Sequence, residues 1–175
     1  MRWVTFVLVA ALALTLQVSL APSLELLSAR PDFLLIVMVF LSLFAPLNRA
    51  IAQAWVLGAC GDLLTIERFG VIALSYGLTA MIVTLVREYV FRYRLTTQAA
   101  VSFISCLLVH SAWTLYYHAM YDASGPFLRD WVTVALLSSA YTSAVSAAVF
   151  RILSTIRWTG MGRPRYTYTA TSPRN

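Results

Sequence analysis

Six apolar stretches separated by short polar breaks fill nearly all of this 175-residue chain. A helix that crosses the hydrocarbon core of a bilayer needs about 20 apolar residues, so six such helices would use most of the available length. No water reaches the backbone at that depth, so each stretch is expected to be helical, and the alternating polarity of barrel strands is missing. The sequence predicts an all-α polytopic membrane protein, a compact bundle of six transmembrane helices with short loops.

The composition supports a membrane location, because only 11% of the residues are charged, against about a quarter in soluble domains. The third stretch contains Gly58 and Gly61, and it could instead be a re-entrant hairpin or a short tilted helix. We predict a transmembrane domain over residues 1–157 and a basic, disordered cytoplasmic tail over 158–175. The predicted spans are Trp3 to Ala21, Pro31 to Leu47, Ala50 to Ile66, Phe69 to Val86, Thr97 to Met120 and Leu128 to Thr155.

The arginines predict the orientation, because cytoplasmic loops carry the excess of basic residues. With the N-terminus inside, Arg30, Arg68 and Arg129 lie outside and the other arginines inside, which favours both termini in the cytoplasm (N-in/C-in). The first stretch has a signal-like beginning, but Pro22 follows the only small-residue cleavage pattern, so we expect a retained anchor. A cytoplasmic basic face, suited to anionic lipid rather than nucleic acid, is predicted from Arg87, Arg92, Arg94, Arg157, Arg163 and Arg165.

Asp62 is the most unusual residue of the third stretch, because an acidic group within a span is costly and usually faces protein or water. Ala54, Gly58 and Asp62 follow one another at four-residue spacing, which places the carboxylate on a stripe of small residues. Two interpretations stay open. Asp62 could bond loop amides or Arg68, or it could recognise a substrate, a proton or a partner.

The remaining polar residues form no recognisable reaction site. His110 and His118 lie on about one face of the fifth stretch, where we expect a neutral histidine to bond a neighbouring helix rather than relay protons. Cys60 and Cys106 have no metal or redox spacing and are interpreted as small apolar fillers. No hydrolase, phosphate-loop or zinc motif is present. We therefore expect no enzyme activity, no cofactor and no metal.

Two rows of small residues at four-residue spacing mark contact faces on the sixth stretch, since helices associate in lipid through close packing. One row is Ala140, Ala144 and Ala148, and the other is Ser139, Ser143 and Ala147. Each row could be an internal interface of the bundle or a face for a partner.

The motifs of the second to fourth stretches, taken in order, resemble the bacterial MreD family of rod shape-determining proteins. In that family Pro-Asp or Pro-Asn opens the second helix, Gly-x-x-x-Asp-Leu closes the third, and a later glycine opens the fourth. Two departures concern packing of the third helix: Ala54 stands where a glycine is frequent, and Gly61 where a larger apolar residue is common. The matching residues are Pro31, Asp32, Gly58, Asp62, Leu63 and Gly70.

The resemblance implies a non-enzymatic scaffold subunit of the cell-wall elongation complex in the bacterial cytoplasmic (inner) membrane. Its implied direct partner is MreC, a periplasmic protein with a single transmembrane helix, with MreB, RodA and a class B penicillin-binding transpeptidase as further members of the complex. An alternative is the substrate-binding subunit of an energy-coupling factor vitamin importer. That class usually has Ala-x-x-x-Ala in its first helix, and Ala10, Ala11 and Ala13 do not make this spacing.

Overall fold

The computed structural model describes residues 3–24, 30–65, 70–87, 95–121, 128 and 131–160. Within these ranges the chain is all helical and contains no strand, which confirms the all-α part of the predicted fold class. A π-helical segment, Trp131–Leu137, leads directly into the last helix. The helices are α1 (Trp3–Ser19), α2 (Phe33–Phe44), α3 (Leu47–Leu63), α4 (Val71–Val86), α5 (Leu95–Tyr121) and α6 (Ser138–Gly160).

Helix α2 is the centre of the bundle. Its sequence, FLLIVMVFLSLF, has no polar face, and every residue from Phe33 to Leu43 is buried. A helix that is apolar all round must be surrounded on all sides, and α2 packs against each of the other five helices. The most apolar segment of the chain is therefore covered by protein rather than exposed at the outer surface.

Helix α2 is shorter than predicted at its C-terminal end. The second span was expected to reach Leu47, but α2 ends at Phe44, because Pro46 cannot continue the helix and instead serves as the N-cap of α3. Its 12 residues correspond to about 18 Å at 1.5 Å per residue. This length is well below the roughly 30 Å of the hydrocarbon core.

The other helix bounds agree with the predicted stretches to within a few residues, except at the last helix. Helix α3 begins at Leu47 rather than Ala50 and ends at Leu63 rather than Ile66. Helix α6 continues beyond the predicted end at Thr155, to Gly160, so the first residues of the predicted tail are helical. The rest of that tail lies outside the described residues.

Two helical segments are long and apolar enough to cross a membrane, Thr96–Met120 and Ala135–Ile152. Helices α1, α2 and α4 are apolar but shorter. The outward faces of α1 and α4 carry large exposed aliphatic side chains, among them Val4, Leu8, Leu78 and Ile82. An exposed apolar exterior of this kind is typical of a membrane protein. The six-span topology stays a prediction.

Candidate functional site: a polar cleft at the beginning of α2

The carboxylate of Asp62 joins the end of α3 to the beginning of α4. Its Oδ1 accepts a hydrogen bond from the amide of Ile72 at 2.9 Å, and its Oδ2 accepts one from the amide of Ala73 at 3.0 Å. The first amides of a helix have no partner within the helix, and Asp62, 3% exposed, satisfies two of them. Arg68, the other partner considered for Asp62, lies outside the described residues.

Gly58 allows this arrangement because α3 and α4 approach each other through their backbones. A Cβ at position 58 would lie 2.4 Å from the Cα of Ala73, closer than real Cβ atoms come. At Gly61 the nearest atom is the flexible side chain of Ile72 at 3.1 Å. Ala54, Gly58 and Asp62 are all buried on the same face of α3, so the predicted small-residue stripe is an internal contact.

Asp32 performs a similar task at the beginning of α2. Its Oδ1 accepts a hydrogen bond from the amide of Leu35 at 3.0 Å, which is the usual geometry of an aspartate N-cap. Its Oδ2 accepts one from the hydroxyl of Tyr76 at 2.8 Å. Pro31 is fully buried directly before it. Asp32 therefore links α2 to α4 as well as capping its own helix.

Two further helices satisfy amides at this end of α2. The amide of Asp32 donates to Thr142 Oγ1 on α6 at 3.2 Å. The amide of Phe33 donates to Gln17 Oε1 on α1 at 2.8 Å. Side chains from α1, α4 and α6 thus converge on a single helix end, and this polar cluster fixes the position of α2 within the bundle.

A cleft of about 620 Å³ lies over this cluster; we call it the α2 cleft. It is bounded by the end of α1, the beginning of α2, the end of α3, the beginning of α4 and the middle of α5. Because α2 is short, the surrounding helices extend past its first residue and leave this space above it. The lining residues are Gln17, Val18, Ala21, Pro22, Arg30, Asp32, Leu34, Gly61, Leu64, Thr65, Ile72, Ser75, Tyr76, Val109, His110 and Trp113.

His110 lies in the wall of the α2 cleft, but its hydrogen bond differs from the expected one. Its Nδ1 is 2.9 Å from the carbonyl oxygen of Cys106 in its own helix, so the prediction of a bond to a neighbouring helix is wrong. A carbonyl one turn earlier is the nearest acceptor for a histidine that leans back along its helix. His118 repeats the pattern, with its Nδ1 3.1 Å from the carbonyl oxygen of Thr114.

The described residues contain no group of three or more His, Cys, Asp or Glu side chains that could hold a metal ion. Cys60 and Cys106 are both free thiols.

Gly70 opens α4 in a left-handed conformation. Its φ is +110°, which glycine adopts without strain. The arrangement can hold helix ends together and admit a ligand.

The predicted basic face is only partly described. Arg87 is half buried at the end of α4, and its guanidinium donates hydrogen bonds to the carbonyl oxygens of Ala45 and Ser42 at the end of α2. A cation at a helix C-terminus is favourable because the last carbonyls carry partial negative charge. Arg157 falls within α6, but its side chain lies outside the described residues, as do Arg92, Arg94, Arg163 and Arg165.

The two small-residue rows of α6 differ in burial. Ser139 is buried and Ser143 half buried against α5, where the hydroxyl of Ser143 donates to the carbonyl of Ala99 at 2.8 Å. The other row, Ala140, Ala144 and Ala148, is exposed. One row is therefore an internal interface, and the other remains available at the outer surface.

Sequence reasoning missed Gln17, Tyr76, Thr142 and Trp113 as members of this site. A signal was present, since a polar side chain inside an apolar stretch rarely faces lipid and more often bonds a neighbouring helix. Their convergence was not visible, because it depends on four helices meeting at the first residues of α2.

A helical bundle with an apolar exterior, a cleft over the beginning of α2, and helix ends capped by the carboxylates of Asp32 and Asp62 is typical of a helical membrane protein. The family model for the rod shape-determining protein MreD matches residues 1–153, so the chain belongs to the MreD family, whose role is in determining rod shape. No curated protein and no solved structure matches the chain.

Proposed function

We propose that this protein is a non-enzymatic scaffold subunit of the rod-shape complex in the bacterial cytoplasmic membrane, and that it binds MreC directly. The single observation that carries the proposal is the family match over residues 1–153. A scaffold role is supported by the side chains of Asp62, Asp32 and Gln17, each of which joins one helix to another. MreB, RodA and a class B penicillin-binding transpeptidase would associate through this pair.

The proposed topology has six spans with both termini in the cytoplasm. Arg87, at the end of α2 and α4, and Arg30, at the beginning of α2, lie at opposite ends of the bundle. The positive-inside rule favours a cytoplasmic location for the Arg87 end, because Arg92 and Arg94 follow it closely in the sequence. The α2 cleft then faces outward. A cysteine introduced at Arg30 should be labelled by a membrane-impermeant reagent added outside the cell. A cysteine introduced at Asn48 should be labelled only when the reagent reaches the cytoplasmic side.

The exposed alanine row of α6 is the proposed contact for the single helix of MreC. Alanines at four-residue spacing let two helix backbones approach closely in lipid, and Ala140, Ala144 and Ala148 are exposed on the described surface. The neighbouring serine row of α6 already packs against α5, where Ser143 bonds Ala99. This leaves an outward face that a second transmembrane helix can cover.

Capture of MreC tests this contact. Both proteins would be co-produced, extracted in mild detergent and purified through a tag on this chain. Ala144→Leu should lower the amount of captured MreC several-fold, because the larger side chain separates the two backbones. Ala11→Leu, on the exposed face of α1, adds the same volume elsewhere and should leave capture unchanged. Equal capture by both variants and the native chain would refute the α6 contact, and absence of MreC from all of them would refute direct binding.

Depletion in the living cell tests the role in cell shape. We expect rod-shaped cells of the source bacterium to become spherical as the protein is depleted, and to recover when the native gene is restored. Cells that keep their length and width after depletion would contradict the proposal.

A further inference from the structure

The floor of the α2 cleft holds an anionic group with unused hydrogen-bonding capacity. Each oxygen of the Asp32 carboxylate accepts one hydrogen bond, from the Leu35 amide and from the Tyr76 hydroxyl. A carboxylate has about four acceptor positions, so both oxygens can accept another bond. Asp32 itself is half buried, and its partner Tyr76 is 2% exposed, so the carboxylate lies at the boundary between the cleft and the packed bundle.

The imidazole of His110 adds a second acceptor. Its Nδ1 faces the carbonyl oxygen of Cys106 at 2.9 Å, and because a carbonyl only accepts, Nδ1 must carry the hydrogen. In the neutral ring the other nitrogen, Nε2, is then an acceptor. His110 lines the α2 cleft, so this wall and the floor both favour a ligand group that donates hydrogen bonds, such as a primary ammonium.

Donors line the same cleft. Arg30 supplies a guanidinium, and Trp113 supplies an indole N–H whose ring stacks on Tyr117 at 5.5 Å. Arginine is well suited to phosphate because its planar fork presents paired donors. The α2 cleft therefore carries opposite charges, Arg30 and Asp32, two residues apart in the chain.

The remaining walls are apolar, with Val18, Leu34, Leu64 and Val109 among them. The volume of about 620 Å³ lies within the roughly 300–1,000 Å³ that small-molecule sites occupy. A ligand that matches this lining has a cationic group, an anionic group and an apolar part. A purely anionic lipid would leave Asp32 opposite a like charge, and a soluble zwitterion would leave the apolar walls without a partner.

We propose that the α2 cleft binds an amino phospholipid with a primary ammonium, of the phosphatidylethanolamine type. The ammonium donates to the Asp32 carboxylate and to Nε2 of His110, and the phosphate accepts from Arg30 and Trp113. The first part of the acyl chains lies along Val18, Leu34 and Val109. This site is distinct from the alanine row of α6 and does not depend on MreC.

Native mass spectrometry of the purified full chain, exchanged between detergent and defined lipids, tests the proposal. The chain should retain phosphatidylethanolamine about tenfold more tightly than phosphatidylcholine, whose quaternary ammonium has no N–H to donate. Phosphatidylglycerol should also bind more weakly, since it has no ammonium. Soluble glycerophosphoethanolamine should compete poorly, because it lacks the acyl chains.

Matched variants locate the binding. Arg30→Gln and Asp32→Asn should each weaken retention of phosphatidylethanolamine by about tenfold, a ratio that corresponds to ~1.4 kcal/mol. Asn remains a good N-cap, so Asp32→Asn preserves the beginning of α2. Arg151→Gln removes the same charge from an exposed position of α6 outside the cleft and should leave retention unchanged, and circular dichroism should give all four chains the same helix content.

Three results would overturn the proposal. The first is equal retention of the three lipids by the native chain. The second is equal retention by Arg30→Gln and Arg151→Gln. The third is competition by glycerophosphoethanolamine at the same concentration as the lipid, which would assign the cleft to a soluble ligand.

Discussion

The α3–α4 pair and the α5–α6 pair are the two most extensive helix contacts in the bundle, and they are built differently. Helices α3 and α4 meet through their backbones, with Gly58 against Ala73 and one carboxylate, Asp62, holding two amides. Helices α5 and α6 meet through small hydroxyl side chains. The α3–α4 contact therefore depends on a few atoms, whereas the α5–α6 contact is distributed over many small side chains.

The hydroxyls of the α5–α6 contact are individually replaceable. Ser143 donates across to Ala99, but Ser146 bonds within its own helix, and the hydroxyls of Ser102 and Ser105 are buried without a hydrogen-bond partner. Many of these side chains thus contribute small size more than hydrogen bonds. Close packing of small residues is the main source of helix association in lipid, so we expect this contact to tolerate single changes.

Removing the Asp62 carboxylate should have the largest effect. Asp62→Ala leaves the buried amides of Ile72 and Ala73 without their acceptor, and each hydrogen bond to a charged group is worth about 1.5–3 kcal/mol. We expect a loss of about 3 kcal/mol or more in the free energy of unfolding, measured by SDS titration of the purified protein and followed by circular dichroism.

Asp62→Asn is the matched control, because its one remaining side-chain oxygen can still accept from one of the two amides. We expect it to lose about half as much stability as Asp62→Ala. If Asp62→Ala unfolds at the same SDS concentration as the native chain, the carboxylate does not hold α3 to α4.

A methyl group at Gly58 should have the next largest effect. Its Cβ would lie 2.4 Å from the Cα of Ala73, so the two backbones must separate, and overpacking of this kind costs about 1–3 kcal/mol. The same SDS titration measures the loss in Gly58→Ala.

Gly77→Ala distinguishes backbone from side-chain contact within the same helix pair. A Cβ at position 77 would also be too close, at 2.6 Å from Nε1 of Trp55, but that ring is 44% exposed and can rotate away. Alanine also favours the helix over glycine by about 0.5–1 kcal/mol. We expect Gly77→Ala to be neutral or slightly stabilising, and a loss equal to that of Gly58→Ala would contradict the distinction.

The sequence predicted the class and the positions of the helices, because apolar stretches and their breaks follow directly from the solvent that surrounds them. It also predicted that Ala54, Gly58 and Asp62 share a face. The central position of α2 could also have been predicted, because the helix has no polar face. We had predicted only that this stretch crosses the membrane.

The partners of the polar groups were not predictable in the same way. Asp62 bonds the first amides of a different helix, and Asp32 bonds Tyr76, 44 residues away. His110 bonds its own helix, a choice that depends on its rotamer rather than on its spacing. These contacts depend on how the helices pack, and hydrophobic periodicity in one segment carries no information about the helix that lies beside it.

Removing one hydroxyl from the α5–α6 contact should have the smallest effect. Ser143→Ala deletes the hydrogen bond to the carbonyl of Ala99 but keeps a small residue at the interface. Hydrogen bonds between membrane helices average about 0.6 kcal/mol in mutant cycles, and we expect a loss of that size in the SDS titration. Ser146→Ala removes a hydroxyl that bonds only within α6, so it should cost less than Ser143→Ala. A loss in Ser143→Ala as large as that in Gly58→Ala would mean that both helix pairs depend on a few atoms, and the comparison between them would fail.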